Sequence, residues 1–329
     1  MRLMSWNCRD IGRASTARTL RTLVRGECPD VLFLAETKVK SPRIENLKAG
    51  MGFSNCFSVD SINKAGGLAI FWNQGVEMEV VFSNHNVIAA LVSSDPLDHV
   101  WLLLAVYGPP YYAKKKKKKI CCLMEDLISR FSGSWLMLGD LNSVAKDSEK
   151  KGGSSKGSYS SRSFQRFVAE VGALDLGFSG PNYTWTNKRS GWANVHERLD
   201  QGLCNIRWQN LFQKAGVRHL MAHNSYHNPI ALDTHLDLSQ GSKPFRFEAM
   251  WVRDDSSKEV VRQAWDVQIS GSHHYRLAKK FSKVQKDLIR WNKTCFGLSR
   301  VKIRELEEKF KEIQVLDPSQ ENLAIEASI

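Results

Sequence analysis

Short apolar runs recur through the first 236 residues, and most have the length of a single strand. A short apolar run bounded by turn residues is typical of a buried β-strand, whereas apolar residues spaced three and four apart indicate a helix. The pattern predicts helices over residues 14–25, 120–131 and 164–171. It predicts strands over residues 2–7, 31–35, 68–72, 76–82, 87–93, 99–107, 135–138, 182–187, 195–200, 217–220 and 229–235.

Several of these strands are followed at once by a polar side chain: Asn7, Glu36, Tyr107, Asp140 and Asn142. Gly139 is expected to let the backbone turn sharply. Because residues two apart on an extended segment face the same way, Asp140 and Asn142 can enter one cavity. This arrangement favours a metal or phosphate site. Two plainer interpretations stay open here, since Gly-Asp-Leu-Asn is also an ordinary turn composition and Glu36 could be a surface glutamate.

The pattern changes beyond about residue 242. Leu277, Phe281, Val284, Leu288, Trp291 and Cys295 alternate steps of four and three, which predicts a helix. Phe296-Gly297 is expected to interrupt this helix before a second one, so residues 276–316 are predicted to form one or two helices, most simply a helical hairpin. The predicted organisation is a compact domain over residues 1–240, a linker over 241–275, a helical connector over 276–316 and a frayed tail over 317–329.

Composition narrows the class of protein. The 329 residues are 42% hydrophobic and 25% charged, as in globular proteins with a substantial core. The net charge of +13 suits a polyanionic partner. Six of the positive charges form the run Lys114–Lys119, which is also typical of a solvated or mobile segment.

The seven cysteines include the adjacent pair Cys121-Cys122 and no Cys-x-x-Cys motif. This spacing argues against a zinc site or a disulfide framework and favours a reduced compartment, the nucleus or cytoplasm. The longest apolar run, Val100–Val106, is too short to span a bilayer, and the N-terminus has no apolar signal core. We therefore expect an intracellular protein without a membrane segment, and nothing in the sequence indicates an obligate protein partner.

Six motifs in order resemble those of the endonuclease/exonuclease/phosphatase superfamily, which includes DNase I. More narrowly, they resemble the endonuclease region of plant-type non-LTR (LINE) retrotransposons. The motifs are Ser5-Trp6-Asn7-Cys8-Arg9, Ala35-Glu36-Thr37, Tyr107-Gly108-Pro109-Pro110, Gly139-Asp140-Leu141-Asn142, Thr184-Trp185-Thr186-Asn187 and Glu197-Arg198-Leu199-Asp200. The resemblance covers about residues 1–236, and residues 243–316 resemble the connector that leads to reverse transcriptase in full elements.

The resemblance implies an α+β fold, a four-layer α/β sandwich. Two mixed, mostly antiparallel sheets would pack face to face, with helices on their outer faces and a C-terminal helical appendage.

It also implies a catalytic site. Glu36 with Asn7 would hold Mg²⁺, with Mn²⁺ as an alternative. Asp140 would align or deprotonate the attacking water and Asn142 would orient it or the phosphate. Tyr107 would donate to the phosphate, and so would His227, held in its tautomer by Asp200. The remaining phosphate or substrate contacts would come from Asn7, Thr184, Trp185 and Asn187.

One departure from the family pattern bears on activity. The family has Ser-Asp-His where this chain has Ser225-Tyr226-His227. The aspartate normally serves the metal and leaving-group side of the site, and the bulky Tyr226 is expected to push His227 off its line. The first hypothesis is therefore a metal-dependent, DNA-nicking endonuclease impaired by Tyr226. The alternatives are an inactive retrotransposon-derived relic that binds nucleic acid and, with less support, a small-molecule phosphatase.

Overall fold

The computed structural model describes residues 1–63, 65–96, 98–109, 113–153, 159–222, 225–236, 251–252, 254–269 and 273–315. The helices are α1 Ala14–Glu27, α2 Ser41–Met51, α3 Lys114–Phe131, α4 Tyr159–Glu170, α5 Ile206–Leu211, α6 Asp255–Trp265 and α7 His273–Val315. The strands are β1 Arg2–Asn7, β2 Val31–Ala35, β3 Asn55–Val59, β4 Leu68–Trp72, β5 Met78–Ser83, β6 Val87–Val92, β7 Trp101–Tyr107, β8 Ser134–Asp140, β9 Lys150–Lys151, β10 Leu174–Asp175, β11 Trp185–Thr186, β12 His196–Glu197, β13 Asp200–Cys204, β14 Gly216–His219 and β15 Ile230–Asp233.

The strands form two six-stranded sheets and one small sheet. The first sheet has the order β14-β15-β1-β2-β4-β3 and the second β10-β13-β8-β7-β6-β5. Each large sheet contains one parallel pair, β1 with β2 and β7 with β8, and is otherwise antiparallel. The small antiparallel sheet has the order β11-β12-β9.

Alternation of side chains along the strands supplies three apolar layers. One face of each large sheet meets the other in a shared core that includes Phe33 and Leu103. The opposite face of the first sheet packs on α1 and α2, and that of the second packs on α3 and α4. Successive residues of a strand face opposite sides, so a strand buried on both faces reads as a continuous apolar run. The predicted four-layer α+β sandwich is confirmed.

The lysine run is helical. It forms the first six residues of α3, which the sequence predicted to begin only at Ile120. Lysine has a good helix propensity, and the inward positions Lys117, Ile120 and Met124 recur at helical spacing. The run is therefore an ordered extension of the helix that packs on the second sheet.

Several elements were not predicted, among them α2, β3, α5 and β13. In α2 only Ile44 and Leu47 are buried, so the helix shows a weak hydrophobic pattern in the sequence. Strand β13, Asp-Gln-Gly-Leu-Cys, is buried throughout although its first three residues are polar or glycine. Burial of these positions depends on neighbouring strands, which local pattern does not report.

Contacts divide the chain into two compact units, one of Met1–Leu238 with Ile313–Ser328 and one of Ser239–Glu312 with Ile329. The second contains α6, whose first turn is capped by the Asp254 side chain accepting from the Ser256 amide. This helix lies inside the segment predicted as a linker, residues 241–275. The predicted frayed tail at 317–329 lies outside the described residues, and the predicted domain limits stay a prediction.

Helix α7 runs without a break through Phe296-Gly297, so the predicted helical hairpin is wrong. A single glycine in a helix costs only about 1 kcal/mol relative to alanine, and no proline lies within α7 to end it. Leu288 and Trp291 of its apolar stripe pack on Trp251, and the Trp291 indole donates to the Ser256 hydroxyl. Among the described residues, no helix is long and apolar enough to cross a membrane.

Candidate active site

The two large sheets bring several strand ends to one edge. Parallel pairing of β1 with β2 sets Asn7 beside Ala35, the residue before Glu36. In the second sheet, β7 and β8 are parallel and set Tyr107 beside Asp140, while antiparallel β13 begins with Asp200 opposite Asp140. The register therefore delivers polar side chains from five strands to a common position.

The side chain of Asn7 links the two sheets. Its Nδ2 donates to Glu36 Oε1 at 3.2 Å and to Asp140 Oδ2 at 2.8 Å, and it lies 3.4 Å from His227 Nε2. The Tyr107 hydroxyl donates to the same Glu36 Oε1 at 2.9 Å. A single carboxamide thus holds both carboxylates, so Glu36 is part of this network and not an ordinary surface glutamate.

Asp140 is the last residue of β8, and Asn142 follows after one residue. The Asn142 amide donates to Asp140 Oδ1 at 2.9 Å, and Asn142 Nδ2 donates to Gly108 O at 2.8 Å and Asp140 Oδ2 at 3.1 Å. The expected turn at Gly139 is absent because β8 continues to Asp140. Gly139 is needed for a different reason, since its φ is 142° and a Cβ there would overlap the carbonyl oxygen of Val106 on β7.

His227 and Asp200 form a buried pair, with 3.0 Å between His227 Nδ1 and Asp200 Oδ2. The loop that carries His227 is fixed to β1, because the Ser225 hydroxyl donates to Asn7 O and accepts from the His227 amide. The Trp6 indole also donates to His227 O at 3.0 Å. Sequence reasoning gave Ser225 and Trp6 no role in the site, although both lie inside the motifs that it singled out.

Thr184 does not offer its hydroxyl to a substrate. Its side chain is fully buried, and Oγ1 accepts from the amides of Leu199 and Asp200, each at 3.0 Å. The predicted phosphate contact is therefore replaced by a positioning contact that fixes the start of β13.

The other two residues of that motif differ from each other. Trp185 pairs with His227 through an isolated bridge, with 6.5 Å between the ring centroids, so it lies beside the site. Asn187 is engaged in its own loop, where Nδ2 donates to Ala193 O and Oδ1 accepts from the Arg189 and Val195 amides. Its polar atoms are thus used within the loop, and its contact with a substrate stays a prediction.

Tyr226 points away from the buried pair. Its side chain is 44% exposed, whereas His227 is 4% exposed and keeps its contact with Asp200. The expectation that Tyr226 displaces His227 is wrong, because hydrogen bonds hold Ser225 to Asn7 O and His227 to Asp200 and leave the side chain between them facing solvent. The lack of a carboxylate at this position remains.

Burial and charge set the protonation of the site. Burial raises the pKa of Asp140 to about 7, with His227 opposing the rise and Asp200 adding to it. Burial lowers the pKa of His227, but the Asp140 and Asp200 carboxylates outweigh it and raise the pKa overall. Burial works to raise the pKa of Glu36, but hydrogen bonds from Asn7 and Tyr107 and the charges of Arg9 and Lys38 lower it. Burial and the neighbouring carboxylates raise the pKa of Tyr107, which therefore stays a donor.

The residues present fit a divalent cation. Asn7 Oδ1 and Asp200 Oδ1 are buried without a hydrogen-bond partner, and carboxylate and amide oxygens are the ligands that Mg²⁺ prefers. Ligand atoms of Asp140, Asp200 and His227 lie within 4.8 Å of one another. The sequence named Glu36 and Asn7 as ligands, and the second oxygen of Glu36 also faces Lys38 Nζ at 3.4 Å and Arg9 Nε at 3.9 Å.

Lys117 is a further residue at the site that sequence reasoning missed. It is 5% exposed, and its Nζ donates to Asn142 O and to Ser143 Oγ. The fourth residue of a lysine run carries no local signal that separates it from its neighbours. Helical spacing with Ile120 and Met124 is the pattern that could have found it.

Comparison with known proteins matches residues 4–201 to the Endonuclease/Exonuclease/phosphatase family. No curated protein matches the chain. Among solved structures, a 3'-5' exonuclease (NExo) from Neisseria meningitidis is similar over 71% of this chain and 100% of its own, with 18% identity and a TM-score of 0.56. A 3' phosphatase NExo from Neisseria bound to product DNA hairpin is similar over 71% of this chain and 98% of its own, with 19% identity and a TM-score of 0.56. The AP endonuclease LMAP from Leishmania major is similar over 70% of this chain and 86% of its own, with 15% identity and a TM-score of 0.57.

Proposed function

The chain belongs to the endonuclease/exonuclease/phosphatase family, and from this premise we propose that it is a metal-dependent phosphodiester hydrolase that nicks DNA. The observation that carries the proposal is the single hydrogen-bonded network in which Asn7 holds Glu36 and Asp140 beside the His227–Asp200 pair. Such a network places a base, acceptors for a cation and a donor for phosphate within one small volume.

The roles follow from the protonation states. Asp140 has a pKa near neutrality, which suits a group that takes the proton of an attacking water. His227, charged because of its two carboxylate neighbours, donates to a non-bridging phosphate oxygen as negative charge builds up there. As Asp140 takes its proton, the water adds to phosphorus, the bond to the leaving oxygen breaks, and the leaving oxygen takes a proton from solvent water. Tyr107, beside Asp140 at the end of the neighbouring strand, donates a hydrogen bond to the phosphate.

A divalent ion would be held by Glu36 and Asn7, with Asp140 and Asp200 close by. When bound, Mg²⁺ would supply neutralisation of the phosphoryl charge and stabilise the leaving oxygen. Mn²⁺ accepts the same oxygen ligands and is expected to substitute.

DNA is the proposed substrate. The net charge of +13 favours a polyanion, and one structural neighbour is described as bound to a DNA hairpin product. The six motifs support the retrotransposon type of endonuclease within the family. The seven cysteines are free thiols, which supports a reduced intracellular location, the nucleus or cytoplasm.

Tyr226 favours a second candidate, an inactive relic that binds nucleic acid. Where the family has a carboxylate, this chain has a tyrosine, which offers no carboxylate oxygen to a cation, and Glu36 is already faced by Lys38 and Arg9. Both observations indicate a lower affinity of the site for a divalent cation, so the proposed enzyme is expected to nick DNA slowly.

The test is conversion of supercoiled plasmid to the nicked form, with Mg²⁺, Mn²⁺ or EDTA, beside an Asp140→Ala control. Ion-dependent nicking by the parent and none by Asp140→Ala would support the enzyme. If the protein retains DNA in EDTA but nicks it with neither metal at high protein concentration, the enzyme is excluded and the inactive, nucleic-acid-binding relic is supported.

A further inference from the structure

Tyr226 lies at the rim of the proposed site, between two inward-facing residues. Ser225 and His227 are 5% and 4% exposed, while Tyr226 is 44% exposed. Its backbone is fixed because the Thr186 amide donates to Tyr226 O at 3.2 Å. The ring is therefore presented to solvent from a held position directly beside the buried histidine.

Two cations lie over this ring. The Arg9 guanidinium carbon is 4.7 Å from the ring centroid and Lys188 Nζ is 5.2 Å from it. Cations within about 6 Å of a tyrosine ring are attracted by its negative face. The three residues come from separate segments, the turn after β1, the loop after β11 and the loop before β15, and they meet only in the folded protein.

The backbone at both cationic residues has an uncommon conformation. Arg9 and Lys188 each have a φ of 51°, in the left-handed region that non-glycine residues rarely adopt. The Lys188 amide donates to Thr186 Oγ1 at 3.1 Å, which secures its loop. Residues in this region persist where their surroundings determine them, and they gather at ligand-binding sites.

The local charge balance is positive. Arg9 and Lys38 share one carboxylate, Glu36, and Lys188 adds a third cation at the ring. These residues bring three cations and one carboxylate together, so this side of the site attracts an anion. The nearest polyanion in the proposed reaction is the DNA backbone on either side of the cleaved bond.

We propose that Arg9, Tyr226 and Lys188 form a clamp that binds the phosphate backbone of DNA next to the scissile bond. In this arrangement Tyr226 orients the two cations. The proposal rests on the proposed function for its choice of DNA, but it concerns binding and not the chemical step.

The test is DNA affinity measured in EDTA over a range of salt concentrations. Each phosphate contact contributes about 0.9 to the slope of log K against log salt. Arg9→Gln and Lys188→Gln should each reduce this slope by about 1 and weaken affinity several-fold at low salt. Tyr226→Ala should weaken affinity without removing a charge, and Tyr226→Phe, which keeps the ring, should restore most of it.

Arg25→Gln is the matched control. Arg25 is exposed in the last turn of α1, which runs back to the edge where β2 begins, opposite the strand ends of the site. Its affinity and slope should equal those of the parent.

The outcomes separate the clamp from the proposed function. A parent that binds DNA but does not nick it, together with lower slopes for Arg9→Gln and Lys188→Gln, would support the clamp and overturn the enzyme. A parent that nicks, with slopes unchanged in both variants, would overturn the clamp alone. A parent that fails to bind DNA would overturn both.

Discussion

Lys117 allows a quantitative test of how the lysine run supports the site. Its ammonium is buried beneath the loop that follows β8, where it donates to Asn142 O and, at 3.1 Å, to Ser143 Oγ. Burial lowers the pKa of Lys117 from 10.5 to about 8, and the Asp140 and Glu197 carboxylates only partly oppose it. The folded protein therefore holds this proton less tightly than the unfolded chain does.

The direction of the pH effect follows from proton binding. Between about pH 8 and about pH 10.5, Lys117 is protonated in the unfolded chain and increasingly neutral in the folded protein, so the unfolded state binds more protons and stability rises with pH. The shift of the pKa limits the gain in the free energy of unfolding to about 3 kcal/mol. Since the rim of this site is open to solvent screening, we expect a gain of about 2 kcal/mol.

The contribution of Lys117 to the pH dependence of stability can be isolated by urea unfolding. The parent, Lys117→Met and Lys118→Met are each unfolded at pH values from about 7 to about 10. Other groups titrate in the same range, so the informative quantity is the difference between variants at each pH. Lys118 is exposed on the same helix and serves as the matched control. The parent and Lys118→Met should gain about 2 kcal/mol more than Lys117→Met as the pH rises. Three parallel curves would refute a buried, charged Lys117.

Three further predictions concern the proposed reaction, the fold and acid stability. Tyr226→Asp restores a carboxylate and should raise kcat for Mg²⁺-dependent nicking by roughly a hundred- to a thousand-fold while weakening DNA affinity; equal nicking by the parent, with Asp140→Ala inactive, would exclude Tyr226 as the defect. A chain ending near Leu238 should unfold cooperatively in urea, because β1–β15 are complete before that residue; a gradual transition would show that the boundary is misplaced. Burial lowers the pKa of His196 and of His219 to about 4, so the unfolded chain gains protons first and stability should fall as the pH drops from about 6.5 to about 4. His219→Asn, which keeps a donor for Pro181 O, should flatten part of this acid limb, and an unchanged limb would contradict the assignment.

Much of the fold was predictable because its strands are buried on both faces. Such strands appear as continuous apolar runs, and the runs that form β1, β2, β7 and β8 were recognised with nearly the observed limits. The polar residues after these runs were predictable for the same reason, since a buried strand that ends on Asn7 or Asp140 departs from the apolar pattern at one position.

Tertiary structure alone decided which of these positions meet and how they are used. Asn7 reaches Glu36 because β1 and β2 pair in one sheet, and it reaches Asp140 because that sheet packs on the other; no local window contains either pairing. Buried polar groups need hydrogen-bond partners. Thr184 and Lys117 are both buried, so the partners that the fold offers decide what each residue does at the site.

The outward orientation of Tyr226 was likewise set by the fold. Its neighbours Ser225 and His227 are tied to β1 and to Asp200, which leaves the intervening side chain facing solvent between Arg9 and Lys188. The sequence by itself determined that the carboxylate is missing there. Whether the tyrosine would disturb His227 depended on the direction of one side chain, and that direction follows from hydrogen bonds to residues far away in the chain.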